Sequence, residues 1–258
     1  MGKPPVKMTP MLRQYLEIKE QHKDTILFYR MGDFYEMFFD DAVTAAKVLG
    51  ITLTSRSSKD DENKVPMCGV PFHAVSGYLA KMVKAGYRVA ICEQTEDPRE
   101  AKGIVKREVI RVVTPGVTTE EQLLDEKSNR YVCAIVVHGV SRNLSRAGLS
   151  FLDVSTGEFL VSELNLPPQS FDPVIEELTR MQPAELVITE KDHEYLLPAI
   201  DTLQVLLPGL CITSRQEFFF EPETATLTLT DHFRTANLAG FGCEAMPAGI
   251  RAAGGLLS

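Results

Sequence analysis

The 258-residue sequence predicts an α/β protein of two domains, each built on a mixed sheet. Three observations carry this. Helical and strand periodicities alternate along the whole chain. A turn signal, Thr114-Pro115-Gly116-Val117-Thr118-Thr119, is followed by the polar run Glu120 to Asn129, which reads as a linker with a short helix over Glu121–Asp125. Charge divides at the same place. Residues 1–125 hold 18 Lys/Arg and 18 Asp/Glu, so the net −8 lies in the remainder, which has 9 basic against 17 acidic residues. The expected organisation is a first domain over residues 1–115, a linker over 116–129 and a second domain over 130–258. The first can meet a polyanion; the second would be repelled by one.

In the first domain, Met11–Gln21 has helical spacing at Leu12, Tyr15, Leu16 and Lys19, with Thr9 as N-cap and Pro10 at the first helical position. Thr25–Arg30 reads as a strand, Met31-Gly32 as a tight turn and Asp33–Phe38 as the hairpin partner. Asp40 and Asp41 are placed to cap a helix that runs through Leu49 and closes at Gly50. Ile51–Thr54 reads as a short strand, Ser55 to Lys64 as a polar, mobile stretch, and His73–Lys84 as a helix ending at Gly86. Tyr87–Cys92 and Ile104–Val113 read as strands.

In the second domain, Tyr131–His138, Arg146–Asp153 and Glu158–Glu163 read as strands, the last two joined by Val154-Ser155-Thr156-Gly157. Asp172-Pro173 opens a helix through Met181, Glu185–Thr189 is a buried strand, and Glu190–Leu197 is a short helix. Gln204–Ile212 reads as an irregular strand, Glu223–Phe233 as a helix, and Pro247–Leu257 as a helix of small residues.

Composition narrows the function classes. Hydrophobic residues at 44% and charged residues at 24% suit a packed core and argue against disorder. The longest apolar run, Tyr131 to Val140, is half of a membrane span, and no secretory signal is expected. Met1-Gly2 starts like an acylation site, but Val6 stands where Ser or Thr is needed. Five cysteines, scattered and unpaired in sequence, suit reduced thiols and a cytoplasmic location. Neither cysteines nor histidines show metal-ligand spacing. Phosphate-loop, dinucleotide, nucleophile-elbow and zinc-protease motifs are all missing. The nearest enzyme-like signature is Asp153, which ends a strand before a hairpin, as the first metal ligand of ribonuclease-H-like nucleases does. A two-metal site would need further carboxylates, and Glu158, Asp172 and Glu185 have no spacing that selects them. An Asx-type turn explains Asp153 as well.

The most unusual stretch is Phe28 to Asp41, with six aromatics, one arginine and four carboxylates around Gly32. On a strand Phe34 and Glu36 share a face, whereas on a helix they would diverge. Two readings stay open on the residues alone. Phe34 is a core ring beside an edge charge, or one face presents an apolar wedge of the kind that kinks duplexes from the minor groove, with an acid next to it.

The ordered string Thr9-Pro10-Met11, Phe28 to Glu36, Leu53-Thr54-Ser55-Arg56, Pro66 to Ala74, Ile91-Cys92-Glu93-Gln94 and Arg111 to Gly116 resembles the mismatch-recognition domain of the MutS family of DNA mismatch repair proteins. Leu152-Asp153, Ser155 to Phe159, Pro183-Ala184-Glu185 and Phe241-Gly242 are similar to its connector domain. The resemblance implies a ribonuclease-H-like, non-catalytic second domain and a chain that is not itself an enzyme. It implies that Phe34 stacks on a mispaired or unpaired base and that Glu36 hydrogen-bonds it; Tyr35, between them, is counted with the residues that contact the groove or backbone. Arg56, Met31 and Met67 match positions lining the groove or its phosphates. Lys81, Arg107 and Arg111 are added as basic residues following those segments. Implied partners are mismatched double-stranded DNA and, through the connector, MutL, with no membrane. Family members are longer, with lever, clamp and ATPase domains. ATP, Mg and homodimerisation are therefore expected of the full-length protein, with no cofactor and weak DNA affinity expected for this chain.

Overall fold

The computed structural model describes residues 9–56, 64–96, 103–116, 130–140 and 143–258. Among these, the chain divides into two compact units, one up to Thr114 and the other from Pro115 onward. Of the linker expected over residues 116–129, Gly116 is described and residues 117–129, with the short helix, fall outside the described residues. Pro115 and Gly116, placed near the boundary by sequence, are buried, and the Gly116 N–H donates to Glu185 Oε2 at 3.3 Å.

The first unit opens with α1 (Pro10–Gln21), where Thr9 Oγ1 accepts from the Leu12 N–H at 3.3 Å. Strands β1 (Ile26–Met31) and β2 (Phe34–Phe38) form the hairpin. Its turn is Gly32-Asp33, one residue later than expected, because Gly32 takes φ +57°, a left-handed position where glycine carries no Cβ penalty. Chain direction changes at Phe39, φ +55°, into α2 (Phe39–Leu49), which ends at Gly50. No side chain caps α2, contrary to the role expected of Asp40 and Asp41. Asp41 instead points inward. Its Oδ2 accepts from the Leu27 N–H at 2.9 Å and the Tyr15 hydroxyl at 3.0 Å, and its Oδ1 pairs with Lys19 at 2.9 Å. One carboxylate thus joins α1, β1 and α2.

Strand β3 (Thr54–Arg56) starts where the expected strand ended, so Ser55 and Arg56 are not loop; residues 57–63 of that polar stretch lie outside the described residues. Strand β4 (Val65–Pro71) has no counterpart in the sequence reading. Pro66 and Pro71 argue against an interior strand, because proline cannot donate to the ladder. Both sit near its ends, and it pairs with β2 and β3 all the same. A 3-10 turn, Phe72–Ala74, leads into α3 (Val75–Lys84), followed by β5 (Val89–Gln94) and β6 (Arg107–Val113). The sheet order is β3-β4-β2-β1-β5-β6, with β1 and β5 parallel and the other pairs antiparallel. Leu12 and Tyr15 of α1 pack on one face with Leu27, Tyr29, Phe38 and Val65. On the other face α2 and α3 bury Phe28, Tyr35, Met37, Val70 and Ile91.

In the second unit, β7 (Tyr131–Val140), β8 (Asn143–Asp153) and β9 (Glu158–Asn165) form an antiparallel meander. Then come α4 (Asp172–Met181), β10 (Glu185–Thr189), α5 (Glu190–Leu206), β11 (Cys211–Arg215), α6 (Pro222–Phe233) and α7 (Pro247–Leu257). Strand order is β11-β10-β7-β8-β9, with β10 parallel to both β7 and β11, the mixed sheet of the expected ribonuclease-H-like arrangement. The largest departure from the sequence reading is α5. The expected short helix ends at Leu197, and the residue before a proline disfavours the α region, yet α5 continues through Pro198 to Leu206. Leu196, Ile200 and Leu203 bury one continuous stripe across the proline, and that burial overrides the local preference. The strand expected from Gln204 consequently starts at Cys211. A Cβ on Gly148 of β8 would overlap the carbonyl of Ala248 and the nitrogen of Gly249, and one on Gly254 would overlap the Ala225 backbone. The small residues of α7 therefore set its close approach to the sheet and to α6.

No helix among the described residues is long and apolar enough to cross a membrane.

Candidate nucleic-acid interface

Antiparallel partners in a sheet project to the same side, so the register defines what lies beside Phe34. Phe34 is flanked by Met31 of β1 and Pro71 of β4. Glu36 is flanked by Tyr29 and Gly69, and Phe38 by Leu27's side of the sheet and Met67. All project to the α1 side. Towards the core that side is closed, with Phe38 wholly buried. Towards the hairpin tip it opens, and Phe34 is 48% exposed. Glu36 is half-buried between these extremes.

Gly69 shapes this opening. A Cβ there would lie 3.3 Å from the Tyr35 carbonyl oxygen, 3.7 Å from Glu36 Cγ and 3.9 Å from Phe34 Cδ1. With hydrogen alone at that position, β4 leaves room between the ring and the acid. Sequence reasoning missed Gly69 because it missed β4. A glycine inside a strand, where a second backbone or a ligand comes close, was the available signal.

Glu36 carries an ion pair. Its Oε2 lies 3.0 Å from Nη1 of Arg56, which reaches from the exposed edge strand β3. Burial pushes the Glu36 carboxyl above its ordinary value, while the positive charges of Arg56 and then Arg107 act against that rise. Met31 is half-buried beside Phe34, and its Sδ lies 3.4 Å from Nη2 of Arg107. Met67, on β4 next to the edge strand β3, is half-buried and packs towards α1. Phe34, Glu36, Met31, Met67 and Arg56 are thus brought onto one side of the sheet.

Three other candidates, Tyr35, Lys81 and Arg111, are not, and a fourth, Arg107, shares that side but is buried within it. Tyr35 alternates to the opposite face and is 4% exposed, packed in the core with Phe28 and Met37. Its hydroxyl donates to Glu93, and burial, then that acid, pushes the phenol up to about 12. It supports the hairpin from beneath and does not line its outer face. Arg107 is buried. Its guanidinium donates to the Arg30 carbonyl at 2.7 Å, the Val105 carbonyl at 2.9 Å and Gln14 Oε1 at 3.1 Å, and stacks over the Tyr29 ring at 4.9 Å. These bonds commit it to the interior. Lys81 lies on α3, which covers the face opposite Phe34, and Arg111 lies on β6, three strands from β2. These two are basic residues that follow the DNA-facing segments in sequence, and sequence order does not encode which face an element covers.

In the second unit Asp153 forms the Asx-type turn. Its Oδ1 accepts from the Ser155 hydroxyl at 2.6 Å, the Ser155 N–H at 2.9 Å and the Thr156 N–H at 3.3 Å, and its Oδ2 accepts from the Arg130 N–H at 3.0 Å. Burial alone would raise this carboxyl, but those hydrogen bonds outweigh it and hold the acid below its ordinary value. Glu185, a possible further ligand, is taken up by the Thr213 hydroxyl at 2.6 Å and the Gly116 N–H.

Residues 9–122 match the family model of MutS domain I, and residues 130–258 match that of MutS domain II. The chain belongs to the MutS family. It is 48% identical over 252 residues to the DNA mismatch repair protein MutS of Desulfatibacillum aliphaticivorans, covering 97% of this chain and 27% of that protein. To that of Symbiobacterium thermophilum it is 43% identical over 254 residues, covering 98% of this chain and 28% of the relative. To that of Chlorobium limicola it is 45% identical over 250 residues, covering 96% and 27%. The chain therefore spans about a quarter of the length of these curated MutS relatives. The hairpin of Phe34 and Glu36 belongs to the MutS domain I match, and the Asp153 turn to the domain II match.

Proposed function

We propose that the first unit recognises mispaired or unpaired bases in duplex DNA and that the chain serves DNA mismatch repair. Phe34 enters the minor groove and stacks on the affected base, while Glu36 accepts a hydrogen bond from it. The observation that carries this reading is an exposed phenyl ring and a carboxylate two residues along, on one side of β2 beside the space left by Gly69. Membership of the MutS family supports it.

Discrimination then follows from deformability. Wedging a matched duplex breaks stacking and pairing at a cost of a few kcal/mol, and a mismatch has already lost part of that stability. About 1.4 kcal/mol of difference gives a tenfold preference, so modest softness is enough to select a site without any fixed donor and acceptor code. Arg56, Met31 and Met67 would follow the groove beside the wedge. The second unit is proposed to offer a surface to MutL and to perform no nuclease step. ATP and Mg are assigned to no residue described here, and homodimerisation is proposed only for the longer protein.

The test is a titration of the chain at low salt against two fluorescent duplexes, one matched and one with a single unpaired thymine. The chain should prefer the second, and Phe34→Ala should abolish the preference while leaving salt-sensitive duplex binding in place. An unchanged preference in Phe34→Ala, or none in the parent chain, overturns the reading.

A further inference from the structure

Arg56 differs from its basic neighbours in how it is held. Arg107 is bonded on several sides in the interior, and Arg30 is engaged by Gly32, Glu93 and the Phe72 ring. Arg56 stands on a three-residue edge strand whose residues are all exposed, and its guanidinium reaches across β4 to Glu36 at 3.0 Å. The β4 residue opposite Glu36 is Gly69, so no side chain of that strand stands beside the carboxyl. An ion pair with one partner this exposed is held weakly and exchanges readily. A DNA phosphate can take the same guanidinium through two hydrogen bonds, where Glu36 takes one.

On the reading of Phe34 and Glu36 given above, a matched duplex offers Glu36 no donor. Moving Arg56 to a phosphate would then leave a half-buried carboxylate unpaired beside a polyanion. A mispaired base supplies a donor, and the exchange goes forward. We infer that Arg56 is a positioning residue whose guanidinium stays on Glu36 when the duplex is matched and passes to a phosphate only when a mispaired base takes over the carboxylate. The ion pair thereby makes one phosphate contact conditional on the state of the base.

Salt dependence reads this directly, because each neutralised phosphate adds about 0.9 to the slope of log K against log salt. The parent chain should show a slope steeper by about 0.9 on the unpaired-thymine duplex than on the matched one. Arg56→Gln should remove that difference by lowering the slope on the mismatched duplex alone. Glu36→Gln should remove it from the other side, raising the slope on the matched duplex, since Arg56 then has no carboxylate to hold it. Arg56→Lys should keep the difference. Equal slopes in the parent chain, or a difference that survives Arg56→Gln, overturn the inference even where mismatch preference and the Phe34→Ala result stand. Loss of those two results would overturn the underlying reading instead.

Discussion

Phe34 and Tyr35 are adjacent aromatics with opposite constraints. Tyr35 fills the core, so Tyr35→Ala is expected to cost about 3 kcal/mol or more of stability. Phe34→Ala should cost less, about 1 kcal/mol, because about half of the residue stays in solvent. Paired thermal melts of the two variants check this, and a large loss in Phe34→Ala would mean that the ring is a packing residue. Glu36 adds a pH dependence. Its carboxyl is raised in the fold, mainly by burial, so the folded state disfavours the charged form. That stability is present below the unfolded value and is lost as pH rises through the folded one. Glu36→Gln should therefore melt higher than the parent at neutral pH and lose the advantage below its ordinary value of 4.5. A constant difference from neutral pH down to about pH 4 would contradict this assignment. At this scale the sequence was legible for the period-two fact that Phe34 and Glu36 share a face; the same period sends Tyr35 to the core, against its expected place at the groove. The sequence was not legible for Arg107, whose burial depends on Gln14 and Val105 lying within reach of its guanidinium.

Elements show where local rules yield to tertiary contacts. Asp41 looks like a helix cap in sequence, but it bonds α1, β1 and α2 from the inside. Asp41→Ala leaves the Leu27 N–H and the Lys19 ammonium without that acceptor, and about 3–5 kcal/mol of destabilisation is expected. Denaturant unfolding measures it, and a cost typical of a lost surface cap, about 1 kcal/mol, would refute the interior role. Pro198 presents the reverse case. It lies inside α5 and removes one backbone bond towards Glu194, yet the helix persists because its buried stripe runs through. Pro198→Ala should stabilise the second unit by about 1–3 kcal/mol, read as a higher melting temperature. Both misreadings share a cause. Caps and prolines are local signals, whereas the partners that decide them come from other elements. Strand β4 was hidden for the same reason, since its two prolines are tolerated only because of where β2 and β3 meet it.

Across the whole molecule, the architecture was the most legible level. The alternation of periods and the Pro115-Gly116 turn signal foresaw two α/β units, and the two mixed sheets bear out that class. What could not be read was the packing distance between layers. In the second unit this distance depends on Gly148 and on the small residues of α7, and Gly148→Ala should unfold that unit at a lower temperature than in the parent chain. Circular dichroism melts test it, and an unchanged melt would show that the sheet and α7 can move apart at no cost. Low burial of Phe34 has a consequence for how such chains can be evolved. A randomised library screened only for soluble expression would hold position 35 nearly fixed and let position 34 drift, since folding hardly registers the phenyl ring. A strict requirement for phenylalanine there would point to a pressure from outside the fold.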